Sequence, residues 1–134
     1  MKKNNGLTMM EVVIVLSVIA ILSAIIVPSI AGYTERARLR SDIQSAIVVQ
    51  SAIELYRSET GRNAGGSGIT GMIQYLVNAD YLSGAPELQT EGAVWHYETT
   101  DRRVFIDISN PSASLARLIE RLSASDKAFI RPNA

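Results

Sequence analysis

The sequence has no cysteine and a single histidine among its 134 residues. Without cysteine there is no disulfide framework, no thiolate ligand for a metal ion and no cysteine nucleophile. The 13 basic and 13 acidic side chains give a formal net charge of zero. No global electrostatic field therefore draws the chain to nucleic acid or to an acidic surface. At this length the chain has room for one small domain.

Charged side chains are missing from one long stretch near the amino terminus. Residues 12–34 are 23 consecutive residues without a charge, and most of them are apolar. A helix of about 20 such residues crosses the hydrocarbon layer of a membrane, which is ~30 Å thick. Two lysines precede the stretch and favour a cytoplasmic amino terminus, but three arginines follow it. The charge bias alone therefore does not decide the orientation.

Glu11 stands at the start of this apolar stretch and separates three interpretations of it. The stretch is either an ordinary one-span anchor or a secretory signal that is cut after Ala31, but neither interpretation explains the carboxylate. Placing a carboxylate near the membrane costs on the order of a few kcal/mol. The third interpretation assumes a cut between Gly6 and Leu7, which frees an α-amino group close to Glu11. In a bundle of parallel, staggered helices this amine meets the carboxylate of a neighbouring chain and fixes the register of otherwise uniform apolar helices.

The stretch GLTMMEVVIVLSVIAILSAIIVP, which contains these residues, resembles a known segment. It is similar to the class III signal and assembly helix of type IV pilins and type II secretion pseudopilins. In that family a short basic leader ends in Gly, a Glu stands fifth in the mature chain and a Pro twenty-second. The sequence matches at Gly6, Glu11 and Pro28. It departs from the pattern where Leu7 replaces the usual Phe and Ala20 replaces a frequent Gly.

The resemblance implies a processing site and an assembly site. A membrane prepilin peptidase would cut between Gly6 and Leu7 and N-methylate Leu7, and Glu11 would set the register of the assembled helices. Pro28 lacks a backbone donor and clashes with the preceding turn, so we expect it to bend the helix. By the same resemblance, an ATPase-driven membrane platform would add the subunit to a helical homopolymer that also contains minor pilins.

The resemblance also implies how the chain is divided. Residues 1–6 are the leader peptide, residues 7–33 the membrane-spanning and filament-core helix, and residues 34–134 an amphipathic half-helix with a globular pilin-like head. The subunit would wait in the cytoplasmic membrane with its head outside and then enter an extracytoplasmic filament. A surface pilus and a short secretion pseudopilus stay open, although the small size and the lack of a disulfide loop favour the pseudopilus.

Past the proline the pattern changes from apolar on every side to amphipathic. Apolar residues recur at intervals of three and four, which predicts one buried helix face. They are Leu39, Ile43, Ala46, Val49, Ile53 and Tyr56. Together with the apolar stretch they predict a continuous helix from Leu7 to about Thr60. Val48 and Leu55 lie on its polar side and are either tolerated surface residues or contacts to neighbouring subunits.

The remainder of the sequence predicts a head with helices and strands. A short helix is expected over residues 70–78, and two strands over 94–99 and 103–108 flank a Thr-Thr-Asp-Arg turn. A further helix begins with capping chemistry at Asn110 or Ser112, and the carboxyl-terminal tail is either loose or an edge strand. The expected fold class is α+β, a long amino-terminal helix packed on a small head with a short antiparallel sheet.

The sequence contains no pattern typical of a catalytic or metal site. His96 lies within a predicted strand, where a structural role is the ordinary one, and zinc would need further nitrogen or sulfur ligands. We therefore expect a structural protein and not an enzyme, with no cofactor, no metal ion and no nucleic-acid partner. Two alternatives stay open: a minor tip pilin that binds DNA or a surface, and a soluble domain secreted after ordinary signal peptidase cleavage.

Overall fold

The computed structural model describes residues 6–131, without the side chains of residues 28, 29 and 31. The elements in chain order are α1 (Met9–Thr60), α2 (Gly68–Asn78), β1 (Ala93–Glu98), β2 (Arg103–Ile108), α3 (Ala113–Glu120), α4 (Ala124–Lys127) and β3 (Ile130–Arg131). The chain divides into two compact units, Met1–Thr34 and Glu35–Ala134. Apart from Gly6, the predicted leader lies outside the described residues.

Helix α1 confirms the long helix that the sequence predicts, with 52 residues from Met9 to Thr60. It ends where Gly61 adopts a φ of 69°, a left-handed conformation that glycine reaches without a Cβ clash. The amide of Gly61 donates a hydrogen bond to the carbonyl of Arg57 at 2.8 Å and so closes the last turn. Pro28 lies within the bounds of α1, and the bend expected there stays a prediction.

The core of the second unit is built on one face of α1. All six residues that the periodicity predicts to be buried are buried: Leu39, Ile43, Ala46, Val49, Ile53 and Tyr56. Val104, Ile106 and Ile108 of β2 belong to the same hydrophobic cluster, because alternate residues of a strand point to one face of the sheet. Removing each such aliphatic side chain from water contributes about 1.5–3 kcal/mol, so this cluster is the main source of stability for the head.

The sheet contains the predicted hairpin and one further strand. β1 and β2 pair antiparallel, from Ala93 opposite Ile108 to Glu98 opposite Arg103. β3 then pairs parallel with β2, with Ile130 opposite Ile106, so the sheet is mixed and has the order β1-β2-β3. The sequence left two alternatives for the carboxyl-terminal tail, a loose segment or an edge strand, and the structure shows the edge strand. A strand of two residues is too short to show an alternating pattern, which is why the sequence left it open.

Two short helices of the head, α3 and α4, begin at serine caps. Ser112 precedes α3, and its hydroxyl accepts a hydrogen bond from the amide of Leu115 at 3.2 Å. This confirms one of the two predicted caps and satisfies an amide that the helix itself leaves unpaired. Ser123 caps α4 in the same way through the amide of Asp126. α4 is not among the sequence predictions, because four residues are too few for helical periodicity.

Candidate assembly site at the amino terminus

The first part of α1 carries a large apolar surface that the chain itself does not cover. Met9–Val27 is 19 residues long with a mean hydropathy of 2.9, and none of it is buried. Leu7 is 78% exposed and Met9 90% exposed. By length and composition the segment is able to cross a membrane. A contiguous apolar surface of this size requires cover by lipid or by protein.

Thr8 and Glu11 form a reciprocal hydrogen-bonded pair at the first turn of α1. The amide of Thr8 donates to Oε2 of Glu11 at 2.9 Å, and its hydroxyl donates to the same oxygen at 3.0 Å. The amide of Glu11 in turn donates to the hydroxyl of Thr8 at 3.3 Å. This is a capping box, in which a Thr and a Glu three residues later satisfy amides that a helix start leaves unpaired.

The capping box gives Glu11 a role within its own chain. This role is not among the sequence predictions, although the Thr-x-x-Glu spacing is the signal for it. Both bonds from Thr8 end on Oε2, so Oε1 takes no part in them. A carboxylate has about four acceptor positions. The box therefore leaves acceptor capacity for an amine of a second chain, and both of its members lie beyond the predicted cut after Gly6.

Two polar side chains in and after the apolar segment, those of Ser17 and Thr34, bond to backbone carbonyls within the helix. The hydroxyl of Ser17 donates to the carbonyl of Val13 at 2.7 Å. The hydroxyl of Thr34 donates to the carbonyl of Ile30 at 3.1 Å. Bonds of this kind to the carbonyl four residues earlier remove the need for an outside partner. These two residues therefore do not prevent burial of the helix in an apolar environment.

Asp42 fixes a loop of the head to α1. Its side chain is completely buried, and its carboxylate accepts the amide of Gln89 at 2.7 Å and the amide of Thr90 at 2.8 Å. A buried carboxylate is tolerated only where hydrogen bonds replace its lost hydration. Asp42 is not among the sequence predictions, because its partners lie 47 and 48 residues away along the chain.

Gln50 connects α1 with the hairpin. Its Oε1 accepts the amide of Val104 at 2.9 Å, and its Nε2 donates to the carbonyl of Arg102 at 3.2 Å. The same Nε2 donates to Oε1 of Glu54 at 2.6 Å. The side-chain amide thereby pairs with backbone groups at the start of β2, as a neighbouring strand would. With Asp42 it holds α1 in place against the head.

Glu35, the first residue of the second unit, binds the start of α3. The hydroxyl of Ser112 donates to its Oε1 at 2.7 Å. Hydrogen bonds from Ser114 and Ser112 to the charged form lower the pKa of Glu35 below its usual value. The interaction therefore depends on the ionised carboxylate.

His96 of β1 contacts Arg131 of β3 within the sheet. Its Nε2 is 2.7 Å from Nη1 of Arg131, which joins β1 to β3 across the central strand. A guanidinium group only donates, so Nε2 of His96 is the acceptor. The predicted structural role of His96 is compatible with this contact.

Comparison with known proteins shows what the amino-terminal part of the chain is similar to. A family model described as the prokaryotic N-terminal methylation motif matches residues 1–27. Prepilin peptidase-dependent protein D of Escherichia coli (strain K12) is 38% identical over 61 residues, which cover 46% of this chain and 42% of that protein. Type II secretion system core protein G of Aeromonas hydrophila is 25% identical over 61 residues, covering 46% of this chain and 43% of that protein.

Type II secretion system core protein G of Vibrio cholerae serotype O1 is 28% identical over 57 residues, which cover 42% of this chain and 39% of that protein. The matched segment thus spans less than half the length of these curated relatives. No solved structure matches the chain at a significant level. The chain therefore carries a prokaryotic N-terminal methylation motif, and the names of these relatives agree with the resemblance to type IV pilins and type II secretion pseudopilins that its sequence predicts.

Proposed function

We propose that the protein is a structural subunit of a type IV pilus-like filament or a type II secretion pseudopilus, and not an enzyme. One observation carries the proposal: an apolar helix segment, Met9–Val27, exposes its whole surface and starts at the capping box of Thr8 and Glu11, within a stretch that matches the N-terminal methylation motif. Lipid covers this helix before assembly, and the helices of other copies cover it afterwards.

The energetics of moving the apolar helix from lipid to the filament explain why assembly machinery is needed. Lipid tails are as apolar as the side chains of another helix, so leaving the membrane brings little hydrophobic gain. A membrane platform with its ATPase therefore extracts the subunit. Outside the membrane the alternative is water, and each Å² of apolar surface kept from it contributes roughly 25 cal/mol. The filament is then held together by the same helices.

Processing precedes assembly in this proposal. A prepilin peptidase in the cytoplasmic membrane removes residues 1–6 and N-methylates Leu7, while the head stays on the outer side. The freed amine of Leu7 pairs with the carboxylate of Glu11 in a neighbouring subunit and fixes the stagger. Minor pilins are further partners. Among the relatives, those named type II secretion system core protein G support a secretion pseudopilus over a surface pilus.

The mass of the native, assembled protein tests the proposal directly. We expect an intact mass that corresponds to a chain beginning at Leu7 with one added methyl group. A chain that begins after Ala31 would show secretion by an ordinary signal peptidase, because that cut discards Glu11. A minor tip pilin would instead show a low copy number and ligand binding by the subunit. Electron microscopy of sheared material shows whether filaments contain the protein.

A further inference from the structure

One edge of the sheet in the head lacks the usual protection of a free strand. β1 is the first strand of the order β1-β2-β3, and it pairs with β2 in an unbroken register from Ala93 to Glu98. Its sequence, AVWHYE, contains no proline or lysine, the residues that commonly protect an edge. β3 at the opposite edge has two residues, one of them Arg131, and is protected by its shortness and its charge.

The backbone on the free side of β1 is open to a further strand. In an antiparallel pair, alternate residues of an edge strand direct their N–H and C=O groups away from the neighbouring strand. Among the described residues, one backbone hydrogen bond connects β1 to a group outside the sheet, from the amide of Ala93 to the carbonyl of Thr90 at 3.2 Å. From Val94 to Glu98 the outward groups are therefore available for pairing.

A groove borders this strand. Its volume is about 590 Å³, within the range of about 300–1,000 Å³ that is typical of ligand sites. It is lined by Trp95, His96 and Tyr97, and because successive residues point to opposite faces, it touches the backbone edge of β1. Since β2 occupies the other edge, the groove lies along the free one. Ile69 and Met72 of α2 also line it and add apolar contact.

Arg102 gives the groove a positive charge. Among the described residues that line the groove, Arg102 alone carries a permanent charge. Its backbone is held in place, because its carbonyl accepts a hydrogen bond from Nε2 of Gln50 at 3.2 Å. A guanidinium binds a carboxylate through two parallel hydrogen bonds. The groove is therefore complementary to a segment that carries a carboxylate beside apolar side chains.

We infer that β1 and this groove bind an extended peptide segment of a partner protein, which pairs with β1 as an additional strand. Main-chain hydrogen bonds supply affinity in this mode of recognition, and pockets for alternate side chains supply specificity. The apolar side chains of the segment contact Trp95, Ile69 and Met72, and its carboxylate binds Arg102.

A second copy of this chain is a poorer occupant than a different protein. β2 lies in the middle of the sheet and β3 has two residues, so the sheet of a second copy offers β1 alone. Two identical edges that pair with each other are related by a two-fold axis and close a dimer. Contacts in a filament must propagate instead, so this step rests on the proposed function.

The full chain in detergent is used to select peptides from a phage-displayed library of short random sequences. Enriched peptides are synthesised with an N-methyl group on one amide at a time. An added strand pairs through every second amide, so we expect binding to weaken about tenfold at alternate positions and to stay unchanged between them. Amide hydrogen exchange in β1 should slow when the unmethylated peptide is bound.

Arg102→Asn tests the charge of the groove, because asparagine tolerates the positive φ of 53° at this position. We expect enriched peptides that carry a carboxylate to bind this variant about tenfold more weakly. Arg117→Asn, at an exposed position of α3, is the matched control and should bind them as the natural chain does.

The inference would be overturned by a selection that enriches no peptide, by binding that ignores alternate N-methylation, or by unchanged exchange in β1. Exchange in β1 that is slow in the free chain and quickens on dilution would assign the edge to a second copy and also overturn it. Filaments of a chain that binds no peptide would overturn this inference alone. Peptide binding by a chain that forms no filaments would overturn the proposed function alone.

Discussion

The amide and the hydroxyl of Thr8 both donate to Oε2 of Glu11, at 2.9 and 3.0 Å. One carboxylate oxygen thus starts the helix of its own chain, and the other takes no part in these bonds. Removing Glu11 altogether would remove both the cap and the charge. Only variants that separate the two effects test whether the charge sets the register of an assembly.

Glu11→Gln keeps an oxygen that accepts from Thr8 but removes the negative charge. We expect this variant to be cleaved after Gly6 as the natural chain is, because the cap and the apolar helix remain. We expect filaments to be lost, because the amine of a neighbouring Leu7 no longer meets a charge. Mass spectrometry of the membrane fraction measures the cleavage, and electron microscopy of sheared material measures the filaments.

Thr8→Val is the matched control for this prediction, because it removes the hydroxyl of the capping box and leaves the charge of Glu11. We expect filaments to form, with a less ordered first helical turn. Filaments from Glu11→Gln in normal amounts would refute the register role. Loss of filaments in Thr8→Val but not in Glu11→Gln would assign the function of Glu11 to helix capping instead.

Asp42→Asn tests the buried carboxylate that binds the loop at Gln89 and Thr90. An asparagine has one acceptor oxygen, and its amide group would face a backbone N–H, so one buried donor loses its partner. We expect the free energy of unfolding to fall by about 2–3 kcal/mol. Urea unfolding of the full chain in detergent, followed by the fluorescence of Trp95, measures the change. Asp101→Asn at the exposed hairpin turn is the control, and an equal loss there would contradict the prediction.

Gln50→Ala tests the connection between α1 and the hairpin. The amide of Val104 loses its acceptor and the carbonyl of Arg102 loses a donor, so we expect a loss of about 1–2 kcal/mol in the same unfolding measurement. Gln74→Ala is the matched control, because Gln74 is exposed on α2 and bonds to Asn78. We expect that control to stay within about 0.5 kcal/mol. Similar losses in both variants would show that Gln50 has no special role.

The Glu35 interaction predicts a dependence of stability on pH. Hydrogen bonds from Ser114 and Ser112 lower the pKa of Glu35 in the folded protein below its ordinary value of 4.5. Its contribution is therefore fully present above pH 4.5 and is lost as the pH falls through the lower folded value. Glu35→Gln should unfold with a weaker dependence on pH in this acidic range. Identical pH profiles for the two proteins would contradict the prediction.

The features that could be predicted from the sequence are those encoded by local spacing. The buried face of α1 follows from intervals of three and four, and the end of the same periodicity predicts the end of the helix at about Thr60. The hairpin follows from two β-rich runs around a turn. The methylation motif also lies within a short window, and the matching family model covers residues 1–27, whereas the cut after Gly6 and the register role of Glu11 stay predictions. For such features neighbouring residues carry the whole signal.

The amino-acid sequence by itself thus determined the long helix, its apolar half and the hairpin of the head. Only the tertiary structure decided which polar groups of the helix hold the head, since Asp42 and Gln50 bind backbone groups 47 to 54 residues away. It also decided the parallel third strand, whose two residues have no pattern of their own. The physical reason is that a hydrogen bond between distant segments depends on where the chain brings its donors and acceptors together, and no local periodicity records that meeting.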